Sequence, residues 1–129
     1  MLNGSETILV VDDETAIRRV VTLTLQKYGY TVHGSRCGER GYDCFMEYPE
    51  EIALVLSDIM MPIVSGPEMV ARILKERHSV KVLFMTGGYS GSTVLPAHYK
   101  RFPILEKPFT SQSLLSSVRE CLDCKLISN

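Results

Sequence analysis

Thr7-Ile8-Leu9-Val10-Val11-Asp12-Asp13-Glu14 decides the fold. Thr7–Val11 is short, continuous and rich in β-branched residues, so it is predicted as a buried strand. It stops at two carboxylates. From Glu14 the pattern changes: Ile17, Val20, Val21, Thr24, Leu25 and Tyr28 recur at helical spacing, and Gly29 stands where a glycine commonly ends a helix. A buried strand that ends in charge and feeds an amphipathic helix is the unit from which α/β sheets are built.

The unit recurs. Tyr30–His33 is predicted as a second strand and Gly38–Tyr48 as a second helix, with a modest stripe of Tyr42, Phe45 and Met46, weakened by Gly41 and stopped by Pro49. Ile52–Ser57 is a third strand running into Asp58. Pro67–His78 comes next as a helix whose proline suits a first turn and whose stripe is Met69, Val70, Ile73 and Leu74. Val80–Met85 is a fourth strand running into Thr86. Gly87-Gly88-Tyr-Ser-Gly91-Ser is turn chemistry, and Pro96 interrupts the stretch after it, so the fourth helix is expected to be short or irregular, at most Thr93–Tyr99. Phe102–Glu106 is a short fifth strand at an edge, or one starting after Pro103. Thr110 or Ser111 caps a last helix carrying Leu114, Leu115, Val118, Cys121 and Leu122. Strands alternating with helices imply parallel crossovers and a sheet covered on both faces. The expectation is a single domain over residues 1–129 with a core of about 6–125.

Composition narrows the function. With 14 basic and 15 acidic residues there is no long-range field to grip nucleic acid or an anionic membrane. No residues remain for a DNA-reading head. No apolar run approaches the roughly 20 residues that span a bilayer, and no signal peptide is recognised, so a cytoplasmic location without membrane contact is expected. Cys37, Cys44, Cys121 and Cys124 should then be reduced. Cys121-Leu-Asp-Cys124 has the spacing of a redox or metal pair. It lies in a predicted helix with no second pair nearby, and is read as part of that helix.

Ligands of such sheets bind beyond the carboxyl ends of the strands. Those ends carry Asp12 and Asp13, Asp58, Thr86 and Lys107. Carboxylates this close repel one another unless protonated or neutralised by a cation, and a hard divalent ion such as magnesium suits them. Asp58 can take a phosphoryl group as an acyl phosphate. Thr86 can donate a hydrogen bond to a phosphoryl oxygen, and Lys107 can supply positive charge to another.

The sequence resembles a response-regulator receiver domain of two-component signalling. The resemblance rests on Ile8-Leu-Val-Val-Asp12-Asp13-Glu14, Ser57-Asp58-Ile-Met-Met-Pro62 with Gly66, Phe84-Met-Thr86-Gly87 and Lys107-Pro108-Phe109. It covers nearly the whole chain, and the wording is most similar to receivers of hybrid sensor histidine kinases. It implies a three-layer, doubly wound, flavodoxin-like sandwich with a five-stranded parallel sheet in the order 2-1-3-4-5. It implies that Asp13 ligates Mg2+ directly, with Asp58, that Asp12 acts mostly through water, and that Met60 contributes its backbone carbonyl. It also implies phosphoryl transfer to Asp58 from a sensor histidine kinase or a histidine phosphotransfer protein, promoted by the domain itself together with its own dephosphorylation. Signalling would pass to an unknown downstream protein, with the domain a monomer or weak dimer.

Two departures stand out. The family usually carries an aromatic residue three before the lysine, where this chain has Ile104. Phe102, two residues earlier, should point to the same face of a strand. The glycine-rich, proline-broken stretch also replaces the family's usual signalling helix. Two other classes compete with this reading. Aspartate-nucleophile phosphatases need a second carboxylate two residues after the nucleophile, and Met60 stands there. A receiver-like binding module that no longer takes phosphate is the remaining alternative.

Overall fold

The computed structural model describes residues 2–87 and 101–124. Five strands form one parallel sheet: β1 (Thr7–Val11), β2 (Thr31–Ser35), β3 (Ile52–Asp58), β4 (Lys81–Thr86) and β5 (Ile104–Glu106). Their order is β2-β1-β3-β4-β5, so the direction of winding reverses between β1 and β3. Four helices are described: α1 (Thr15–Lys27), α2 (Gly38–Glu47), α3 (Gly66–Glu76) and α4 (Ser111–Asp123). The expected short helix between Thr93 and Tyr99 lies outside the described residues.

Period-two alternation explains why helices cover both faces. Leu9 and Val11 of β1 face a cluster containing Phe45, Met69, Val70, Ile73 and Phe84, under α2 and α3. Ile8 and Val10 face the opposite cluster of Val21, Leu25, Leu114, Leu115 and Val118, under α1 and α4. A strand buried on both sides reads as a continuous apolar run. None of the described helices is long and apolar enough to cross a membrane.

Local signals set the helix ends. Gly29 has φ +102°, and the N–H groups of Gly29 and Tyr30 donate to the carbonyls of Gln26 and Leu25 at 3.1 and 3.2 Å. This is the paired closure in which glycine satisfies the last carbonyls of a helix, and Tyr30 joins Leu25 in the core. Ser65 caps α3 reciprocally: Ser65 Oγ accepts from Glu68 N at 3.2 Å, and Glu68 Oε1 from Ser65 N at 3.2 Å. Thr110 caps α4, accepting from Ser113 N at 3.0 Å. Lys81 of β4 donates to the carbonyls of Cys121, Leu122 and Cys124, placing a cation at the negative end of α4.

Several expectations need correction. β2 starts at Thr31 and runs to Ser35, because Tyr30 closes α1 instead of extending the strand. α3 runs from Gly66 to Glu76, since Ser65 rather than the proline sets its start. On α1, Ile17, Val21, Thr24 and Leu25 face inward, but Val20 is 58% exposed and Tyr28 is half-exposed. Val20 sits at the flank of a stripe narrower than its composition suggests. Met46 of α2 is exposed in the same way. Gly41 does not merely weaken α2. A Cβ there would press into Met69 Sδ and Val11, so the glycine lets α2 lie close on β1 and α3.

Candidate functional site

Each of four strands ends by delivering one polar side chain to the same edge. Asp12 stands just past β1, Asp58 closes β3, Thr86 closes β4, and Lys107 stands just past β5. The registers align these ends: Val11 pairs with Ser57, Asp58 with Met85, and Thr86 with Glu106. Asp12, Asp58 and Thr86 are buried although the strands behind them are apolar. Buried polar groups at the end of an apolar sheet need partners.

Lys107 supplies the main one. Its Nζ lies 2.9 Å from Asp12 Oδ2, 3.3 Å from Glu14 Oε1 and 3.5 Å from Asp58 Oδ2. The backbone reinforces this, because Lys107 N donates to Thr86 O at 2.8 Å and so ties the lysine to the end of β4. Asp12 is held from its own side. Its Oδ1 accepts from Glu14 N at 2.9 Å, its N–H donates to Ser35 O at 3.1 Å, and its carbonyl accepts from Arg18 Nη1 at 2.7 Å. The turn after Asp58 is equally constrained: Ile59 N donates to Met85 O, and Gly66 N to Ile59 O.

The electrostatics are strained toward the protonated acid. Burial and the neighbouring Asp12 charge push the Asp58 carboxyl up to about 6, against the opposing pull of Lys107, with Asp13 adding to the rise. Burial works against the Lys107 ammonium, but the hydrogen bond to Asp12 and the charges of Asp58 and Asp12 leave its pKa raised. One ammonium among several carboxylates leaves a net negative site.

The donor set fits a hard divalent ion. Asp12, Glu14 and Asp58 each present an oxygen within 4.8 Å of the others, and all are carboxylates. Of the expected residues, Asp12, Asp58 and Lys107 are brought into mutual contact, with Thr86 alongside. Asp13 and Met60 are exposed and stand outside that group of three, although the Asp13 charge is felt at Asp58. Glu14 joins this cluster, 3.3 Å from Lys107 Nζ, although the sequence does not mark it as doing so. Its place directly after the paired aspartates is visible there, but as the residue flanking α1 it reads as a helix start.

Phe102 lies in the bend before β5, which starts at Ile104, so strand period does not govern where its ring points. Its ring meets Phe84 edge-on, with centroids 6.0 Å apart, on the face under α2 and α3. Ile104 pairs in register with Phe84 and is exposed.

A doubly wound parallel sheet with a buried aspartate and a lysine at its carboxyl edge defines a class of acidic-site α/β domains. Comparison with known proteins specifies it further: residues 8–119 match the family model of the response regulator receiver domain, and the chain belongs to that family. It is 36% identical over 124 residues to the sensor kinase CckA of Brucella abortus, covering 95% of this chain but 13% of that protein. It is 34% identical over 116 residues to the uncharacterized transcriptional regulatory protein YkoG of Bacillus subtilis, covering 89% of this chain and 50% of the relative. The chain thus spans half or less of these relatives. Among solved structures it resembles a response regulator receiver domain protein from Clostridium thermocellum, with TM-score 0.82, 27% identity, and coverage of 92% and 94% of the two chains. It also resembles the receiver domain of the hybrid histidine kinase CckA, with TM-score 0.77, 28% identity, and coverage of 91% and 99%.

Proposed function

We propose that this receiver domain is a phosphoacceptor in a two-component phosphorelay, with Asp58 as the residue phosphorylated. The observation that carries the proposal is the contact of a nearly buried Asp58 carboxylate with the Lys107 ammonium at 3.5 Å, beside Asp12. A carboxylate oxygen of Asp58 attacks the phosphorus of a phosphohistidine on a sensor kinase or phosphotransfer protein. The O–P bond forms, the P–N bond breaks, and the imidazole nitrogen keeps the electron pair. Such transfer relies on positioning and charge neutralisation more than on covalent assistance. Lys107 balances charge on the transferred group, and Thr86 donates to one of its oxygens. Asp12, Asp13, Asp58 and the Met60 carbonyl are the proposed Mg2+ ligands. Bound magnesium offsets the repulsion between phosphoryl oxygens and carboxylates.

The domain signals rather than turning over substrate, and its partners are the phosphodonor and a downstream protein in the cytoplasm. Phosphoramidate with Mg2+ tests the assignment. Intact mass spectrometry should show one added phosphoryl group on the wild type and none on Asp58→Asn. Equal labelling of the two would sink it.

A further inference from the structure

We propose that Glu14 is a positioning residue: it shares the Lys107 ammonium with Asp58 and governs its release to an arriving phosphoryl group. The inference rests on the phosphoacceptor reading above and adds a residue to it.

An ammonium has three N–H donors. In this structure three carboxylates surround them, Asp12 at 2.9 Å, Glu14 at 3.3 Å and Asp58 at 3.5 Å. Lys107 donates to Asp12 and Glu14 and faces Asp58 as an ion-pair partner, so a phosphoryl oxygen arriving at Asp58 competes with these carboxylates for the ammonium. Asp12 has no exposed surface, so releasing the lysine would leave a buried charge unpaired. The Asp58 oxygen becomes part of the new acyl phosphate and gives up its own charge. The Glu14 side chain is 62% exposed, so water replaces its partner readily. Of the two carboxylates hydrogen-bonded to Lys107, Glu14 is therefore the arm that yields at the least cost.

The backbone keeps that arm within reach. Glu14 N donates to Asp12 Oδ1 at 2.9 Å, and its carbonyl accepts from Arg18 N at 3.0 Å in the first turn of α1. The carboxylate can leave Lys107 and return without movement of the helix. Its second effect is on approach, because it adds an exposed negative charge facing an incoming anion. With Glu14 exposed and Lys107 nearly buried, the pair is worth on the order of a fivefold bias, and salt screens its solvent-facing side.

The test uses the full chain, phosphoramidate and saturating Mg2+, with wild type and Glu14→Gln labelled in parallel. Labelling of the variant should be about two- to fivefold faster at low salt. The gain should shrink toward nothing at about 0.5 M salt. The 15Nζ resonance of Lys107 should shift between the two proteins without phosphate and coincide once both carry beryllofluoride. Magnesium affinity, read by calorimetry, should change less than about twofold. An unchanged or slower rate, or a gain that persists in high salt, overturns the proposal. A drop of about tenfold or more in magnesium affinity would make Glu14 a metal ligand and overturn it as well. Wild type that labels normally beside an unchanged variant removes this inference alone. Wild type that takes no phosphoryl group removes the phosphoacceptor reading with it.

Discussion

Lys107 Nζ donates to Asp12 Oδ2 at 2.9 Å, linking residues 95 positions apart in the chain. The contact closes the site across the sheet, from the end of β1 to the residue after β5. It gives a fully buried carboxylate its counter-charge, and it leaves the same ammonium in reach of Asp58. The consequences of this contact, and of the turns that support it, can be measured.

The raised Asp58 carboxyl makes stability depend on pH. Its usual value of 3.8 rises to about 6 in the fold. Between these values the folded state binds the proton more tightly than the unfolded chain, so stability falls as pH rises through that window. The full displacement corresponds to about 3 kcal/mol. Urea denaturation without divalent ions should therefore show Asp58→Asn gaining on wild type by about 1–3 kcal/mol between pH 4 and pH 7. Parallel pH profiles for the two proteins would refute the account.

Magnesium should bind at the cluster and relieve part of that penalty. Calorimetric titration at pH 7 is expected to show weak binding, with Asp13→Ala weakening it by about tenfold or more. The Asp13 side chain is exposed and its removal leaves the core packing intact, so a loss of affinity reports on ligation. Undiminished titration in Asp13→Ala would show that Asp13 is not a ligand of the ion.

Removing the ammonium should separate phosphorylation from its structural response. Lys107→Ala leaves buried Asp12 without its cation, which is expected to cost about 2–4 kcal/mol in metal-free urea denaturation. The protein should still fold and still take phosphate, but the phosphorylation-induced changes in its 1H–15N spectrum should shrink. A full wild-type pattern of changes would assign the response to another residue.

Gly66 should tolerate no side chain. A Cβ there would overlap the Asp58 carbonyl oxygen and approach Ser57 Oγ, in the turn that follows Asp58. Gly66→Ala should lose about 2–3 kcal/mol of stability, within the range for large single-site effects, and its labelling by phosphoramidate should slow. A variant matching wild type in both denaturation midpoint and labelling rate would show that the turn relaxes freely.

Much of this architecture is legible in the sequence because its signals are local. A run such as Ile8–Val11 is apolar on both faces and so demands cover on both. Gly29 supplies a backbone conformation that closes α1, and Asp58, Thr86 and Lys107 stand where strands end. The start of α3 is less legible: Pro67 draws the expected start one residue past the observed Gly66, because the Ser65–Glu68 capping pair sets it.

Other features depend on distance across the sheet. Whether Val20 is buried depends on how α1 rolls against β1 and β2, and a helical repeat alone does not set that angle. The value of Gly41 depends on Met69 and Val11, which reach it from other elements. The contact of Glu14 with Lys107 joins residues 93 positions apart. Strand period and helix stops act over a few residues, so the strand-end residues Asp12, Asp58, Thr86 and Lys107 can be read along the chain. The pairing of one ammonium with Asp12, Glu14 and Asp58 comes from the packed fold, because electrostatic contact is set by separation in space, which the register of the parallel strands brings to about 3 Å.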